Sequence, residues 1–288
     1  MPPANATTPR NSRSLDWIST ALFVAMHLAL LFVFVVPFSW KLVLLAIGGY
    51  TLRMWAITAG YHRLFSHKSY KTSRAFQLLL AVLGTASMQN GPIWWASVHR
   101  RHHKHSDTPE DPHSPRQRGF WYSHVGWIFD RSRPDVDDSN VADLKRYPEL
   151  RFLNRHEWIP IVGFAFACLA IAGLPGVVWG FVVSTLALIH GTALINSLAH
   201  VWGTPRYRTN DDSRNNGWLA LITLGEGWHN NHHHYMSSAR QGFFWWEIDL
   251  TYYSLRALAC LGIVWDLREP TAVALAGPRV DDPAIAKV

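Results

Sequence analysis

Cysteine is scarce: the 288 residues contain only Cys168 and Cys260. Two isolated thiols form neither a CxxC pair nor a disulfide framework, which excludes a stapled secreted scaffold and suits a reducing compartment. They also exclude a cysteine-ligated cluster inside this chain. No G-x-G-x-x-G follows a strand-like run, so a dinucleotide site is absent. No internal repeat and no long low-complexity region occur, which excludes a solenoid. Acidic residues are outnumbered, 20 against 27 basic, for a formal charge of +7. That balance admits a nucleic-acid ligand or a membrane topology signal, and the placement of the charges decides between them.

Long uncharged runs are abundant. Trp17 to Trp40 carries no charged residue, and a spanning helix needs about 20 apolar residues. No small-residue cleavage site follows, so this run reads as an anchor. Four spans are expected, at about 17–37, 43–61, 159–174 and 177–199, in two hairpins. The second hairpin turns around "GLPG". Arg10, Arg13, Arg63, Lys68, Lys71, Arg151, Arg155, Arg206 and Arg208 then flank one side of the membrane. This is the positive-inside pattern, with both termini cytoplasmic, and it argues against nucleic-acid binding. The run Ala75 to Trp95 is broken by Gln89, Asn90, Gly91 and Pro92; its clean apolar part is too short to span. It reads as a helix in or under the interface. The fold class expected is an all-α integral membrane protein: residues 1–14 a disordered tail, 15–270 the membrane domain, and 271–288 a C-terminal tail. Segments 62–157 and 200–270 form a mainly helical cytosolic cap holding a di-metal site.

Histidine is in great excess, with 16 residues. "HRLFSH" supplies His62 and His67, "HRRHH" supplies His99, His102 and His103, and "HNNHH" supplies His229, His232 and His233. Two of these share the spacing H-x-x-H-H, which puts three imidazoles on one face of a helix. His62 and His67 lie about 140° apart on an α-helix, so one of them is expected where the span ends and the chain unwinds. His200 ends the fourth span and is a further candidate. His105 and His234 read as surface neighbours of the clusters; His113, His124 and His156 read as surface or structural. His27 and His190, inside spans, read as interhelical hydrogen-bond partners. All clusters face one compartment only if Ala75 to Trp95 does not cross. So many imidazoles exceed the needs of one ion, and imidazole suits zinc, copper, nickel and iron. Asp107, Asp111 and Glu226 are candidates to orient the ligands.

The motifs "AGYHRLFSH", "QNGPIWWASVHRRHHKHSDTPEDPH", "GFWYSHVGW", "INSLAH" and "GEGWHNNHH" resemble, in order, those of the membrane-bound fatty acyl desaturases of the Δ9, stearoyl-CoA type. The resemblance runs from about Gly60 to Asp266. It implies four membrane helices, a cytosolic cap with two Fe²⁺ ions, and a narrow acyl tunnel. It implies nine ligands, His62, His67, His99, His102, His103, His200, His229, His232 and His233, with Asn196 reaching a metal through water. Asn90 and Trp95 match residues lining the substrate site. Arg131 matches one of a basic pair at the CoA head group, whose second member is replaced by Ser132. Ser97 stands where the animal CoA enzymes carry arginine. The implied activity is O₂-dependent removal of two hydrogens from a methylene pair, leaving a cis double bond, with Δ9 the expected position. Acyl-CoA is the expected substrate and acyl lipid the alternative. The electrons must come from a separate ferredoxin, rubredoxin, or cytochrome with its reductase. Zinc can replace iron on overexpression. A histidine-box fatty acid hydroxylase is the rival enzyme. A metal-handling membrane protein is the rival of another class, but it calls for ligands at the membrane midplane, where only His27 and His190 lie.

Overall fold

Asp16 opens the first helix by accepting hydrogen bonds from the N–H groups of Ile18 and Ser19 at 3.2 Å. The computed structural model describes residues 15–132 and 135–281. The expected tail over 1–14, and 282–288 of the expected C-terminal tail, lie outside the described residues. Helix α1 (Trp17–Ala29) continues as a 3₁₀ segment, Leu30–Phe34. Ser39 caps α2 (Trp40–Trp55), which widens without a break into a π-helix, Ala56–Ser66.

The short strand β1 (Lys71–Thr72) leads to α3 (Arg74–Thr85) and, after a loop, to α4 (Pro92–His105), with proline in its first turn. Short helices follow: α5 (Pro115–Arg118), α6 (Phe120–His124), α7 (Ala142–Lys145) and α8 (Pro148–Arg155). Then come α9 (Trp158–Gly176), a π segment at Val177–Val183, and α10 (Ser184–Ser197), which tightens into a 3₁₀ turn at Leu198–His200. The chain ends with α11 (Gly217–Ile222), α12 (His229–His234), α13 (Leu250–Cys260), β2 (Val264–Trp265) and α14 (Ala272–Leu275). Strand β2 pairs antiparallel with β1, Lys71 opposite Trp265.

Among the described residues, three helical runs are long and apolar enough to cross a membrane: Trp17–Phe34, Trp40–Ser66 and Trp158–His200. The third has 43 residues, about 65 Å if straight and twice a hydrocarbon core of about 30 Å. It is not straight. Ala172 (φ −145°, ψ 23°) and Gly173 (φ 62°, ψ −152°) leave the helix, and the chain turns back. Gly180 then packs so closely on Cys168 that an added Cβ would lie 2.9 Å from its sulfur. The run is thus doubled back at Ala172–Gly173, close to the turn suggested by the sequence between 159–174 and 177–199. Helix α3 is apolar but short, as the broken run around it requires.

Arg53, inside the second run, is fully buried. Its guanidinium donates to Gly49 O, Ala86 O, Thr185 Oγ1 and Ser184 Oγ at 2.5–3.0 Å and lies 4.1 Å from the Phe164 ring centroid. A buried cation is tolerable only when its donors are met in this way. It ties α2 to α10, α9 and the loop after α3. Residues 271–281 lie across α12: Arg208 N–H donates to Pro278 O, Val280 N–H donates to Arg206 O, and His234 Nε2 bonds Ala274 O.

Candidate metal centre

The π-helix explains the first histidine pair. In an α-helix a spacing of five splays side chains apart; in a π-helix the i→i+5 hydrogen bond stacks them. His67 N–H bonds His62 O at 3.2 Å, and the two rings lie 4.8 Å apart. His67 lies at the C-terminal cap of this helix, where one of the pair was expected; up to that point the chain winds wider, which aims both imidazoles the same way. Helix α4 brings His99, His102 and His103. The 3₁₀ turn closing α10 brings His200, and α12 brings His229, His232 and His233.

These nine side chains form two groups. The first is His62, His67, His99, His103 and His232; the second is His102, His200, His229 and His233. Within each group the ligand atoms lie within 4.8 Å of one another. The groups adjoin, with the His103 and His233 rings 4.4 Å apart.

Proton counting shows what the first group needs. His99 Nε2 faces both His67 Nε2 (2.8 Å) and His103 Nε2 (3.0 Å). His232 Nε2 faces both His62 Nε2 (2.9 Å) and His103 Nε2 (3.0 Å). A ring nitrogen has one in-plane site, holding either a proton or a lone pair. It cannot serve two such neighbours at once, whereas one cation accepts all the lone pairs together. In the second group, His233 Nε2 is buried without a hydrogen-bond partner. The donor set fits metal ions.

The electrostatics agree. Burial first, then the charge of neighbouring imidazoles, holds His67, His99, His103, His229 and His232 far below the ordinary histidine range. Neutral imidazole is the metal-binding form. Carboxylates hold the far nitrogens: Asp107 Oδ2 lies 3.0 Å from His200 Nδ1, Asp111 Oδ2 3.0 Å from His102 Nδ1, and Asp211 Oδ2 2.6 Å from His233 Nδ1. Glu226 contacts His62 Nδ1. Burial alone would raise Asp107 and Asp111, but hydrogen bonds and charge from His200 and His102 outweigh it, so both stay ionised. The three carboxylates suggested by the sequence, Asp107, Asp111 and Glu226, are thus placed against three of the clustered histidines. Sequence reasoning missed Asp211, one of several loop carboxylates in "NDDS" with nothing to single it out. It also missed Gln241, which contacts both His62 Nδ1 and Glu226.

Replacing Asp211 by asparagine is expected to weaken metal binding about 10- to 100-fold, as loss of such an orienting partner does. Competition with a chelator measures this, and unchanged retention would show that Asp211 does not orient His233.

An apolar cavity of about 240 Å³ touches the centre. Asn90, Trp95, His99 and Asn196 are in its wall, and Trp95 stacks on His99 with centroids 4.8 Å apart. Arg131 lies at a neighbouring cavity that shares Asn90 and Trp94. His113, read as surface or structural, is buried 4.5 Å from the His102 ring. His105 belongs to neither group. His234 stacks on Tyr207 at 4.0 Å.

Clustered imidazoles beside an apolar cavity, on helices long enough to cross a membrane, define a histidine-rich metalloenzyme of the membrane. The chain belongs to the fatty acid desaturase family, whose model it matches over residues 38–260. It is 41% identical over 266 residues to "Delta-9 acyl-lipid desaturase 2" of Arabidopsis thaliana, covering 91% of this chain and 86% of that one. It is 36% identical over 272 residues to "sn-1 stearoyl-lipid 9-desaturase" of Anabaena variabilis, covering 92% and 97%. It is also 35% identical over 280 residues to "Acyl-CoA C20 Delta5-desaturase" of Anemone leveillei, covering 94% and 89%. Its function is the desaturation of a fatty acyl chain.

Proposed function

We propose that this chain is a di-iron desaturase that places a cis double bond at Δ9 of a saturated acyl chain esterified to a membrane lipid. The observation that carries the reading is the convergence of nine imidazoles in two adjoining groups beside an apolar cavity, whose wall one of them, His99, helps to form. His62, His67, His99, His103 and His232 would hold one Fe²⁺, and His102, His200, His229 and His233 the other, with Asn196, which lines the same cavity as His99, acting through water. When bound, the iron pair supplies the redox chemistry with O₂ that unactivated C–H bonds require. The net change is CH₂–CH₂ + O₂ + 2e⁻ + 2H⁺ → CH=CH + 2H₂O. Two of those electrons come from outside the substrate. A ferredoxin, rubredoxin or cytochrome with its reductase supplies them. The chain's own residues position the acyl group: Trp95, packed on His99, bounds the methylenes, and the apolar wall excludes water. The doubled third run makes four crossings, with both termini and the centre on the cytoplasmic side.

Two positions favour acyl lipid over acyl-CoA. Ser97 is buried, and its hydroxyl accepts the Asp137 N–H at 2.8 Å. The Ser132 hydroxyl donates to Asp130 at 2.6 Å. Both are spent on local structure, and neither presents positive charge to CoA phosphates. Two of the three relatives are named for acyl-lipid substrates. Acyl-CoA is the second reading, favoured by Arg131 at the neighbouring cavity.

Expression in a host lacking the activity, fed defined saturated fatty acids, tests the assignment by mass spectrometry of intact lipids. A cis-9 monoene appearing first in glycerolipids is expected. Unsaturation appearing first in acyl-CoA supports the second reading, and a hydroxylated product without unsaturation contradicts desaturation.

A further inference from the structure

Helix α1 is the least embedded long element of the fold. None of its residues is buried, yet Leu22, Phe23 and Met26 wall the acyl cavity. Among the described residues, its polar contacts with the rest of the fold gather at two points. At its start, Asp16 N–H donates to Phe129 O at 2.8 Å and Leu15 pairs with Asp130. About three turns on, His27 Nε2 lies 3.1 Å from His190 Nε2 on α10. The cavity wall lies between these points.

The second point belongs to a chain of imidazoles. His190 Nδ1 is 3.1 Å from His124 Nε2, and His124 Nδ1 is 3.0 Å from Ser197 Oγ. The far nitrogen of His27, Nδ1, lies 2.8 Å from Phe23 O, which can only accept. So His27 carries its proton on Nδ1 and accepts at Nε2. His190 then donates from Nε2 and accepts at Nδ1. His124 donates from Nε2, and its Nδ1 faces the Ser197 hydroxyl, which also contacts Ala193 O. The contacts among the three rings are met with all three neutral, which suits a site at membrane depth.

This arrangement matters because lipid tails are as apolar as the helix face. In a bilayer, apolar contacts between helices gain little over contacts with lipid, and hydrogen bonds and packing decide association. The Phe23 and Met26 face can therefore exchange α10 for acyl chain at small cost. The His27–His190 bond cannot be replaced by lipid. Outside, Val24, Leu28 and Leu31 are exposed and suited to hydrocarbon.

We infer that the seam between α1 and α10 is a lateral portal through which a bilayer-resident lipid delivers its acyl chain to the cavity, with His27–His190 as its latch. The inference rests on the desaturase reading and deepens it, since a side entrance serves a substrate already in the membrane.

A reversible lock tests it. His27→Cys and His190→Cys are combined with Cys260→Ser, which removes the exposed native thiol. The iron-loaded enzyme, in nanodiscs containing saturated phosphatidylcholine, is bridged by a short bis-methanethiosulfonate reagent and supplied with reduced donor. Bridging is expected to lower turnover at least tenfold, and reductant to restore it. Bridged enzyme that works as fast as unbridged overturns the portal. Wild type that desaturates no acyl substrate would instead overturn the underlying desaturase reading. Should the double variant fail to fold, spin labels at Leu28→Cys and Leu52→Cys are compared with and without His27→Leu, again with Cys260→Ser. A narrow distance distribution that broadens without the latch is expected; an unchanged distribution overturns the proposal.

Discussion

Replacing His232 by alanine is expected to abolish desaturation while leaving the protein in the membrane. His232 Nε2 sits between His62 Nε2 and His103 Nε2, at 2.9 and 3.0 Å. Loss of a ligand removes one lone pair from a group of five and leaves the others around an under-coordinated ion. The effect should exceed the 10- to 100-fold typical when only an orienting partner is lost. Activity and iron content should fall together. His105→Ala is the control: that side chain is outside both groups, and the variant should behave as wild type. Near-normal turnover in His232→Ala would count heavily against the centre, and a dead His105→Ala would mean that the wrong histidines carry it.

Arg63→Leu is expected to destabilise the fold by about 3–5 kcal/mol, the usual consequence of stranding a buried charge. Arg63 is 1% exposed; its Nη2 donates to both oxygens of Asp249, at 3.1 and 3.2 Å, and lies 3.4 Å from Glu226. Asp249 is itself fully buried. Burial raises its carboxyl above the ordinary range, and the Arg63 guanidinium opposes that rise. Glu226 also touches His62, so the damage reaches the centre, and iron affinity should fall as well. Thermal unfolding in detergent measures the first effect and chelator competition the second. Arg63→Lys should recover part of both. A melting temperature within a degree or two of wild type would mean that the pair contributes little.

The histidine spacings were legible because H-x-x-H-H has a direct reading on a helix, and α4 and α12 realise it. His62 and His67 stood out as candidates, but their geometry did not, since a spacing of five makes sense only once the helix widens, and no residue in "AITAGYHRLFS" announces a π register. Asp107, Asp111 and Glu226 could be suggested because each lies close in sequence to a cluster; Asp211 acts on His233 from a distant loop, which proximity along the chain does not reveal. The reversal at Ala172–Gly173 was signalled by "GLPG", and it falls at the first glycine of that stretch. His27 and His190 were expected to bond between helices, and they do; the extension through His124 to Ser197 required the cap helix α6 in place. Residues 271–281 looked like a tail because they are short of apolar pattern, yet backbone hydrogen bonds hold them against the loop at 206–208.

The central claim is that distant histidines grip two redox-active ions at the wall of an acyl cavity. Anomalous diffraction from the active, iron-loaded enzyme, recorded on both sides of the iron and zinc absorption edges, tests it most directly. Two iron peaks are predicted, one enclosed by His62, His67, His99, His103 and His232, the other by His102, His200, His229 and His233. A single peak, or metal bound away from these rings in an active sample, would contradict the account.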